Sequence, residues 1–249
     1  MSFLGIDLFI GTQKELVENL IINTENKLKK CYFAINPDCV LKYFENEDYK
    51  KMLLNKENTI YVDGIGVIYT QKFLKLPVAK ERIATTDLFH ELIETLSNKK
   101  SNLKVFLLGG KGDTAKRVID NFSQKYPNIK FCGYRDGFFT PEEEDNVIKQ
   151  INNSRTDILF VGFGTPLQEK WIDKNYEKLN VKTFITCGGL FDYYSGNVKR
   201  APSLVRKLGL EWLFRLGQEP KRLYKRYIFG NIKFLGKILL LKLKGQGIE

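Results

Sequence analysis

The side chain in this sequence best suited to chemistry is an aspartate that directly follows a predicted strand. Asp63 comes after the short apolar run Thr59–Val62 and opens the turn Asp63-Gly64-Ile65-Gly66. A carboxylate at a strand end, beside a bound ligand, can take the proton of a hydroxyl group as that oxygen attacks. The residues alone leave a second interpretation equally open, because an aspartate before Gly64 could instead cap the helix that begins there.

Glycine-rich turns follow three other apolar runs. They contain Gly109 and Gly110, then Gly162 and Gly164, and finally Gly188. In an open parallel sheet, ligands bind beyond the carboxyl ends of the strands, where glycine lets the backbone approach them. The N–H groups at the start of the following helices suit a phosphate. A single glycine is more often a requirement of its turn, but the recurrence at strand ends indicates a ligand-binding edge.

The elements that must position these residues alternate along the chain. Short apolar runs predict buried strands at Cys31–Ile35, Thr59–Val62, Val105–Leu108, Ile129–Cys132, Ile158–Val161 and Thr183–Cys187. Amphipathic stretches between them predict helices at Thr86–Asn98, Lys111–Lys125, Pro141–Asn152 and Pro166–Leu179. This alternation predicts an α/β fold with a mostly parallel sheet flanked by helices.

Two side chains in these stretches have simpler structural interpretations. Asp87 is expected to cap the helix that it opens. Glu169 could be an ordinary acidic residue in the first turn of its helix. Thr140-Pro141 is a well-formed helix start, with a capping residue, a proline and then three glutamates.

Positive charge is concentrated at the end of the chain. The 249 residues carry a net charge of +11, and the segment after Ser195 holds thirteen Lys and Arg against three acids. That segment therefore accounts for ten of the eleven net charges, which indicates an anionic partner. The composition changes near Ser195, so we expect an α/β core over 1–195 and a basic helical appendage over 196–249.

The appendage also shows two parallel stripes at helical spacing. Basic residues form one stripe and apolar residues the other. The basic stripe comprises Arg222, Arg226, Lys233 and Lys237, and the apolar stripe comprises Tyr224, Ile228, Leu235 and Leu239. Such a helix suits an anionic bilayer surface. The apolar run 228–243 is interrupted by lysines and is too short to span a membrane, and the first residues lack the pattern of a secretion signal.

Several classes of protein are excluded or disfavoured by what the sequence lacks. It has neither the dinucleotide-binding glycine fingerprint nor a P-loop, which argues against an α/β oxidoreductase. The single histidine, His90, leaves a Ser–His–Asp triad unsupported. Four scattered cysteines without a Cys-x-x-Cys pair predict reduced thiols and no zinc site. We expect no metal and no organic cofactor. A basic tail with interleaved aromatic residues keeps nucleic-acid binding open as an alternative of another class, although no nucleic-acid motif is present.

An ordered set of motifs resembles the WecG/TagA/CpsF family of bacterial glycosyltransferases. In the first half these are AINP (34–37), VDGIGV (62–67), ERIATTDL (81–88) and FLLGG (106–110). In the second half they are GYRDGFF (133–139), VGFGTPLQEKW (161–171), CGGLFD (187–192), KRAP (199–202) and LGLEWLFRL (208–216). Each motif is weak alone, but the ordered set extends from about Asn36 to Arg226.

The resemblance implies a Rossmann-like GT-E fold and an inverting transfer of a sugar from a UDP-sugar to a polyprenyl-diphosphate-linked sugar. It implies Asp63 as the catalytic base. Asn36, Arg82, Gln168 and Asp192 match positions of the family's active site, around the UDP-sugar. The glycines of the strand-end turns are expected to line the same UDP-sugar site: Gly109, Gly110, Gly164 and Gly188. Arg215, Arg222 and Arg226 of the appendage would grip the lipid diphosphate or neutralise the leaving UDP, so the appendage is expected to complete the active site.

The sequence departs from the family pattern at two places, and the first concerns the donor. The order Ile35-Asn36-Pro37 is closer to WecG-like members than to TagA-like ones, so the donor sugar stays open between N-acetylmannosamine and its uronic acid. A hexose donor for capsule or exopolysaccharide synthesis is an alternative. Thr85 stands where the family often has glycine.

The resemblance also implies a cellular setting. The enzyme is expected in the cytoplasm, bound peripherally to the inner face of the bacterial membrane, because a polyprenyl acceptor stays in the bilayer. An N-acetylglucosamine-bearing acceptor and an anionic membrane surface are the expected partners. No nucleic acid is expected, and self-association of the core is left open. A non-catalytic accessory subunit is a further alternative, which the presence of Asp63 argues against.

Overall fold

The computed structural model describes residues 2–244, and a single sheet of parallel strands organises the core within them. The strands are β1 (Leu8–Phe9), β2 (Lys30–Ile35), β3 (Thr59–Val62), β4 (Lys104–Gly109), β5 (Lys130–Arg135), β6 (Ile158–Gly162) and β7 (Thr183–Thr186). Their order across the sheet is β1-β3-β2-β7-β6-β4-β5, and every pairing is parallel. The predicted α/β fold and its parallel sheet are therefore confirmed.

Helices cover both faces of this sheet. Those of the core are α1 (Gln13–Glu25), α2 (Pro37–Glu45), α3 (Glu47–Leu54), α4 (Ile65–Phe73), α5 (Thr85–Asn98), α6 (Thr114–Lys125), α7 (Glu144–Asn153), α8 (Leu167–Asn175) and α9 (Leu190–Tyr194). A short 3-10 turn, Pro141–Glu143, leads into α7, and the Glu143 carboxylate accepts the Thr140 N–H at 2.8 Å. The predicted helix start at Thr140 is thus confirmed.

Alternate residues of each strand enter two separate apolar clusters, one on each face of the sheet. In β4, Phe106 and Leu108 belong to one cluster, while Val105 and Leu107 belong to the other. Strands that are buried on both faces read as continuous apolar runs, which is why the sequence located them. The cysteines within residues 2–244 form no disulfide, and three of them are buried.

The appendage is helical and packs against the core. Its helices are α10 (Ser203–Lys207), α11 (Glu211–Gln218), α12 (Pro220–Tyr224) and α13 (Gly230–Leu243), with the π-helical turn Lys225–Phe229 between the last two. Phe234 and Ile238 of α13 are buried in the same apolar cluster as the α2 residues Cys39 and Val40. The division into a core of 1–195 and an appendage of 196–249 stays a prediction; Met1 and residues 245–249, which it includes, lie outside the described residues.

Candidate active site

The carboxyl ends of the strands open into a cleft of about 1920 Å³. Turns after β2, β3, β4, β6 and β7 line it, and α11, α12 and α13 add a wall from the appendage. The structure brings most of the predicted site residues to this cleft: Asn36, Asp63, Arg82, Gly110, Gly164, Gln168, Gly188, Asp192, Arg215, Arg222 and Arg226. Gly109 lies just behind it, where a side chain would collide with the Gly162 carbonyl oxygen of the neighbouring strand.

Asp63 does not cap the helix that follows it. Helix α4 begins at Ile65 without any side-chain cap, so that alternative interpretation of Asp63 is wrong. Its Oδ2 instead accepts the Thr85 hydroxyl at 3.1 Å and the Thr85 N–H at 3.5 Å. The Thr85 hydroxyl also lies 2.9 Å from the Tyr61 hydroxyl. The carboxylate is therefore held at the edge of the cleft by the first residue of α5.

The surroundings of Asp63 make it a stronger base than an exposed aspartate. Burial raises the pKa of Asp63, and the Arg82 guanidinium and the Thr85 hydrogen bonds oppose that rise. The nearby Glu211 carboxylate acts in the same direction as burial. A raised pKa in a cleft, with a named charge beside it, is typical of functional carboxylates.

Asn36 and Gly64 bring the turns after β2 and β3 together. The Asn36 Oδ1 caps α2 by accepting N–H groups from Asp38 at 3.0 Å and Cys39 at 3.2 Å. A Cβ atom at Gly64 would lie 2.7 Å from Pro37 and 2.8 Å from Asn36, so only glycine fits there. Because the side-chain oxygen of Asn36 already accepts these two bonds, a ligand would have to contact the side-chain amide nitrogen of Asn36.

Gln168 ties together the turns that follow β6 and β7. Its Oε1 accepts the N–H groups of Gly164 at 3.1 Å and Gly188 at 3.0 Å. Its Nε2 donates to the Glu169 carboxylate at 2.9 Å. Glu169 lies in the first turn of α8, as expected, but it is completely buried, and burial raises its pKa. Because both ends of the Gln168 amide are engaged in the protein, its clearest role in this structure is to shape the cleft.

Asp192 and Gly110 lie at the same edge. Asp192 is in α9, and its Oδ1 is 3.4 Å from the Asn197 amide nitrogen. Gly110 has a φ of +72°, a left-handed conformation that favours glycine. Both residues border the cleft, which is compatible with the predicted contact to a nucleotide-sugar.

The three arginines predicted to bind phosphate all reach the cleft from the appendage. Arg215 lies deepest, with its guanidinium 4.9 Å from the centre of the Tyr193 ring. Its Nε is 3.4 Å from Glu219, which also pairs with Arg222 at 2.9 Å. A Cβ atom at Gly189 would come within 2.5 Å of the Arg215 guanidinium, so the end of the Arg215 side chain lies directly against the turn after β7.

Arg82 contacts the appendage through the carboxylate of Glu211. Its Nη2 lies 2.8 Å from Glu211 Oε2, and both side chains are largely buried. Asp87 pairs with Arg200 of the appendage at 2.6 and 2.7 Å. The expectation that Asp87 caps α5 is wrong, because the helix begins at Thr85 and Ala84 occupies the capping position.

Three of the four residues of the basic stripe contact the core. Arg226 pairs with Asp38 at 3.1 Å, and Lys233 pairs with Glu45 at 2.6 Å. These acids are on α2, as is Phe44, whose ring centre lies 4.9 Å from the Lys237 ammonium. The apolar stripe points outward: the side chains of Tyr224, Ile228, Leu235 and Leu239 are exposed.

His90 lies outside the cleft, with its Nε2 3.0 Å from the Tyr126 hydroxyl. Within residues 2–244, no group of three His, Cys, Asp or Glu side chains is arranged to hold a metal ion. No helix in the same range is long and apolar enough to cross a membrane.

Comparison with known proteins identifies the family. The profile described as "Glycosyl transferase WecG/TagA/CpsF family" matches residues 1–247. The chain belongs to this family. The resemblance carried by the ordered motifs is thereby confirmed, and with it the general class of sugar-transferring enzyme.

Curated relatives in the WecG/TagA/CpsF family share one name, N-acetylglucosaminyldiphosphoundecaprenol N-acetyl-beta-D-mannosaminyltransferase. The Bacillus subtilis (strain 168) protein is 39% identical over 205 residues, which cover 82% of this chain and 77% of the relative. The Staphylococcus aureus (strain MRSA252) protein is 32% identical over 225 residues, covering 90% and 86%.

Three residues shape this site in ways that the sequence alone did not indicate. Thr85, which departs from the frequent family glycine, donates both its N–H and its hydroxyl to Asp63. Tyr193 supports Arg215, and Glu211 holds Arg82. Glu211 and Tyr193 stand within the quoted motifs or next to them, but their partners are distant in sequence, so spacing could not reveal the pairing.

Proposed function

We propose that this protein is an inverting glycosyltransferase that moves N-acetylmannosamine from a UDP-sugar to N-acetylglucosamine on a polyprenyl diphosphate. The observation that carries the proposal is that one cleft joins a half-buried carboxylate, Asp63, to glycine-lined turns and to arginines of the appendage. The names of the relatives support the acceptor and the sugar. Neither the family nor those names point to a hexose donor or to nucleic acid.

In the proposed reaction Asp63 acts as the general base. It takes the proton of the acceptor hydroxyl while that oxygen attacks the anomeric carbon of the donor from the face opposite UDP. The new carbon–oxygen bond forms as the bond to the UDP phosphate oxygen breaks, and UDP departs with the electron pair. The raised pKa of Asp63 suits this role, because a base works best when its pKa approaches the working pH.

The arginines neutralise the charge that develops on the departing diphosphate or is already present on the acceptor. Guanidinium groups bind phosphate oxygens through paired, charge-assisted hydrogen bonds. Arg215 is suited to a phosphate group bound deep in the cleft, because Tyr193 and Glu219 already hold its guanidinium in place. Arg222 and Arg226 lie further along the appendage side of the cleft and suit the lipid-linked diphosphate.

The exposed apolar side chains of α13 give the cleft a route to the bilayer. Ile232, Leu235 and Leu239 are each more than half exposed while also bordering the cleft. An amphipathic helix of this kind binds in the interface of an anionic membrane. We therefore place the protein peripherally on the inner face of the cell membrane, where its acceptor resides.

A transfer assay with defined substrates tests the function. The full-length protein is incubated with acceptor, N-acetylglucosaminyl-diphospho-polyprenol in anionic vesicles, and separately with the UDP forms of N-acetylmannosamine, its uronic acid, N-acetylglucosamine and glucose. We expect transfer from UDP-N-acetylmannosamine and a rate at least ~10²-fold lower for Asp63→Asn, the usual effect of losing a general base. The matched control is Asp113→Asn, which alters an exposed aspartate outside the cleft and should leave the rate unchanged.

The possible results separate the parts of this proposal. Absence of transfer from every donor would overturn the function. Transfer from only one of the other sugars would overturn the choice of donor. Normal turnover by a folded Asp63→Asn protein would show that another group is the base.

A further inference from the structure

A cluster of charged side chains joins the appendage to the core, and the proposed reaction does not use it. Its central member is Glu211, the first residue of α11, whose two oxygens contact different arginines. Oε2 lies 2.8 Å from Arg82 Nη2, and Oε1 lies 3.5 Å from Arg200 Nε. Only 16% of the Glu211 side chain is exposed. A carboxylate buried between two arginines interacts much more strongly than an exposed ion pair.

Arg82 is the link between this cluster and the reaction. It belongs to the core, borders the cleft, and is one of the charges that act on Asp63. Glu211 belongs to the appendage. Arg82 therefore has this carboxylate as a partner only when the appendage is docked on the core.

We propose that Glu211 is a positioning residue for sugar transfer: from the appendage it holds Arg82 beside Asp63, so that the base in the core is set correctly only when the appendage is docked. This inference rests on the proposed function. It assigns to the appendage a role in tuning the base, separate from binding phosphate or membrane.

Several groups face Asp63, and Glu211 is one of the two that carry a full charge. Tyr61 of β3 and Thr85 of α5 contribute hydroxyl groups, and Tyr193 of α9 interacts with Asp63 electrostatically. The full charges are Arg82, which lowers the pKa of Asp63, and Glu211, which raises it. Without Glu211, the positive charge of Arg82 would act on Asp63 uncompensated. Asp63 would then hold a proton less readily and be a weaker base.

Neighbouring ion pairs fix Glu211 in place. Arg200 forms a bidentate pair with Asp87 and still reaches Glu211, while Arg206 lies 3.5 Å from the same Asp87. Asp87 and Thr85 are both in the first turn of α5. The first turn of α5, which holds Asp63, thus also binds the appendage, so a shift of the appendage would change the contacts of Asp63.

The test is the pH dependence of kcat/KM in the vesicle assay. The acid limb reports the protonation of the essential base in the free enzyme. Glu211→Gln removes the negative charge but keeps the shape and an oxygen that can accept from Arg82. We expect its acid limb to move to lower pH by roughly 0.5 to 1 unit, because loss of a nearby negative charge favours the ionised form of Asp63. At neutral pH we expect a lower kcat.

Two further variants separate positioning from a merely structural role. Glu211→Asp keeps the charge on a shorter side chain, so its acid limb should stay at the wild-type pH even if kcat/KM falls. Glu219→Gln is the matched control, because Glu219 is also an appendage carboxylate paired with arginines. It is not among the groups that act on Asp63, and its acid limb should not move.

An unchanged acid limb in Glu211→Gln, with turnover intact, would overturn the inference while leaving the proposed function standing. If the wild-type protein transfers no sugar, the proposed function fails instead. The effect of Glu211 on Asp63 is then measured without turnover, by following the Asp63 carboxyl carbon in an NMR pH titration and assigning its signal with Asp63→Asn. A midpoint that is the same in the wild-type protein and in Glu211→Gln would refute it.

Discussion

Docking of the appendage on the core should depend on two apolar side chains rather than on its many charges. Phe234 and Ile238 are 2% and 4% exposed, between α13 and the core. Lys233 and Arg226 on the same segment pair with Glu45 and Asp38, but both basic side chains are about half exposed. The two kinds of contact therefore predict very different costs when each is removed.

The magnitudes decide between them. Truncating a buried phenylalanine to alanine typically costs about 3–5 kcal/mol, whereas an exposed ion pair contributes about 0–1 kcal/mol. We therefore expect Phe234→Ala to weaken docking several times more than Lys233→Ala. Since about 1.4 kcal/mol corresponds to a tenfold change in an equilibrium constant, opening of α13 should become at least ~10²-fold more frequent in the first variant and at most about fivefold in the second.

Amide hydrogen exchange of α13 measures this opening. Exchange should accelerate across Gly230–Leu243 in Phe234→Ala, while the amides of β6 and β7 stay protected because the sheet does not depend on the appendage for its pairing. The matched control is Phe229→Ala, which removes an equally large ring that is 63% exposed and should leave the exchange of α13 nearly unchanged. Raising the salt concentration to 0.5 M should likewise have little effect.

The reasoning would be refuted by either of two results. If Lys233→Ala or high salt opens α13 as much as Phe234→Ala does, charge pairing is the dominant contribution. If Phe234→Ala accelerates exchange equally in α13 and in β6, the appendage and the core unfold as one cooperative unit, and the division between them near Ser195 is wrong.

Two further predictions concern the cleft. Burial raises the pKa of Asp63 in the folded protein, so ionisation of this side chain lowers the stability of the fold as the pH rises. Asp63→Asn should therefore have a higher Tm than the wild-type protein at neutral pH and no advantage at acid pH, below the pKa of Asp63 in the unfolded chain. A lower Tm at pH 7 would contradict this. Gln168→Leu leaves the N–H groups of Gly164 and Gly188 without their acceptor. At about 1–3 kcal/mol for each unsatisfied group, the free energy of unfolding in urea should fall by roughly 2–6 kcal/mol. An unchanged midpoint would show that Gln168 does not stabilise these turns.

The sequence predicted the sheet well because each buried strand is a short, uninterrupted apolar run. The run Thr59–Val62 matches β3 at both ends, and Ile158–Val161 falls one residue short of β6. Strand β1 was missed for a physical reason. It has only two residues, at the edge of the sheet, and pairs with β3 alone, so it leaves no alternating or continuous apolar pattern to detect.

The sequence located residues at the cleft where they belong to a turn at a strand end, and it missed contacts that depend on a distant partner. Asp63 and Gly188 reach the cleft because parallel strands all end at the same edge. The link between Arg82 and Glu211 spans two parts of the chain with no shared periodicity. Asp87 was wrongly expected to cap a helix, since its position fits the local rule for capping and only the fold reveals Arg200 beside it.

The charge of the appendage is partly paired within the molecule, and this affects how a diphosphate could bind. Arg226 is paired with Asp38 and Arg222 with Glu219, both at the cleft. A diphosphate carries more negative charge and more acceptor oxygens than a single carboxylate, so it can replace these partners without leaving an arginine uncompensated. Pairing within the protein therefore keeps the arginines ordered before substrate arrives, and the net positive charge still attracts an anionic surface at distances up to about 8–10 Å in physiological salt.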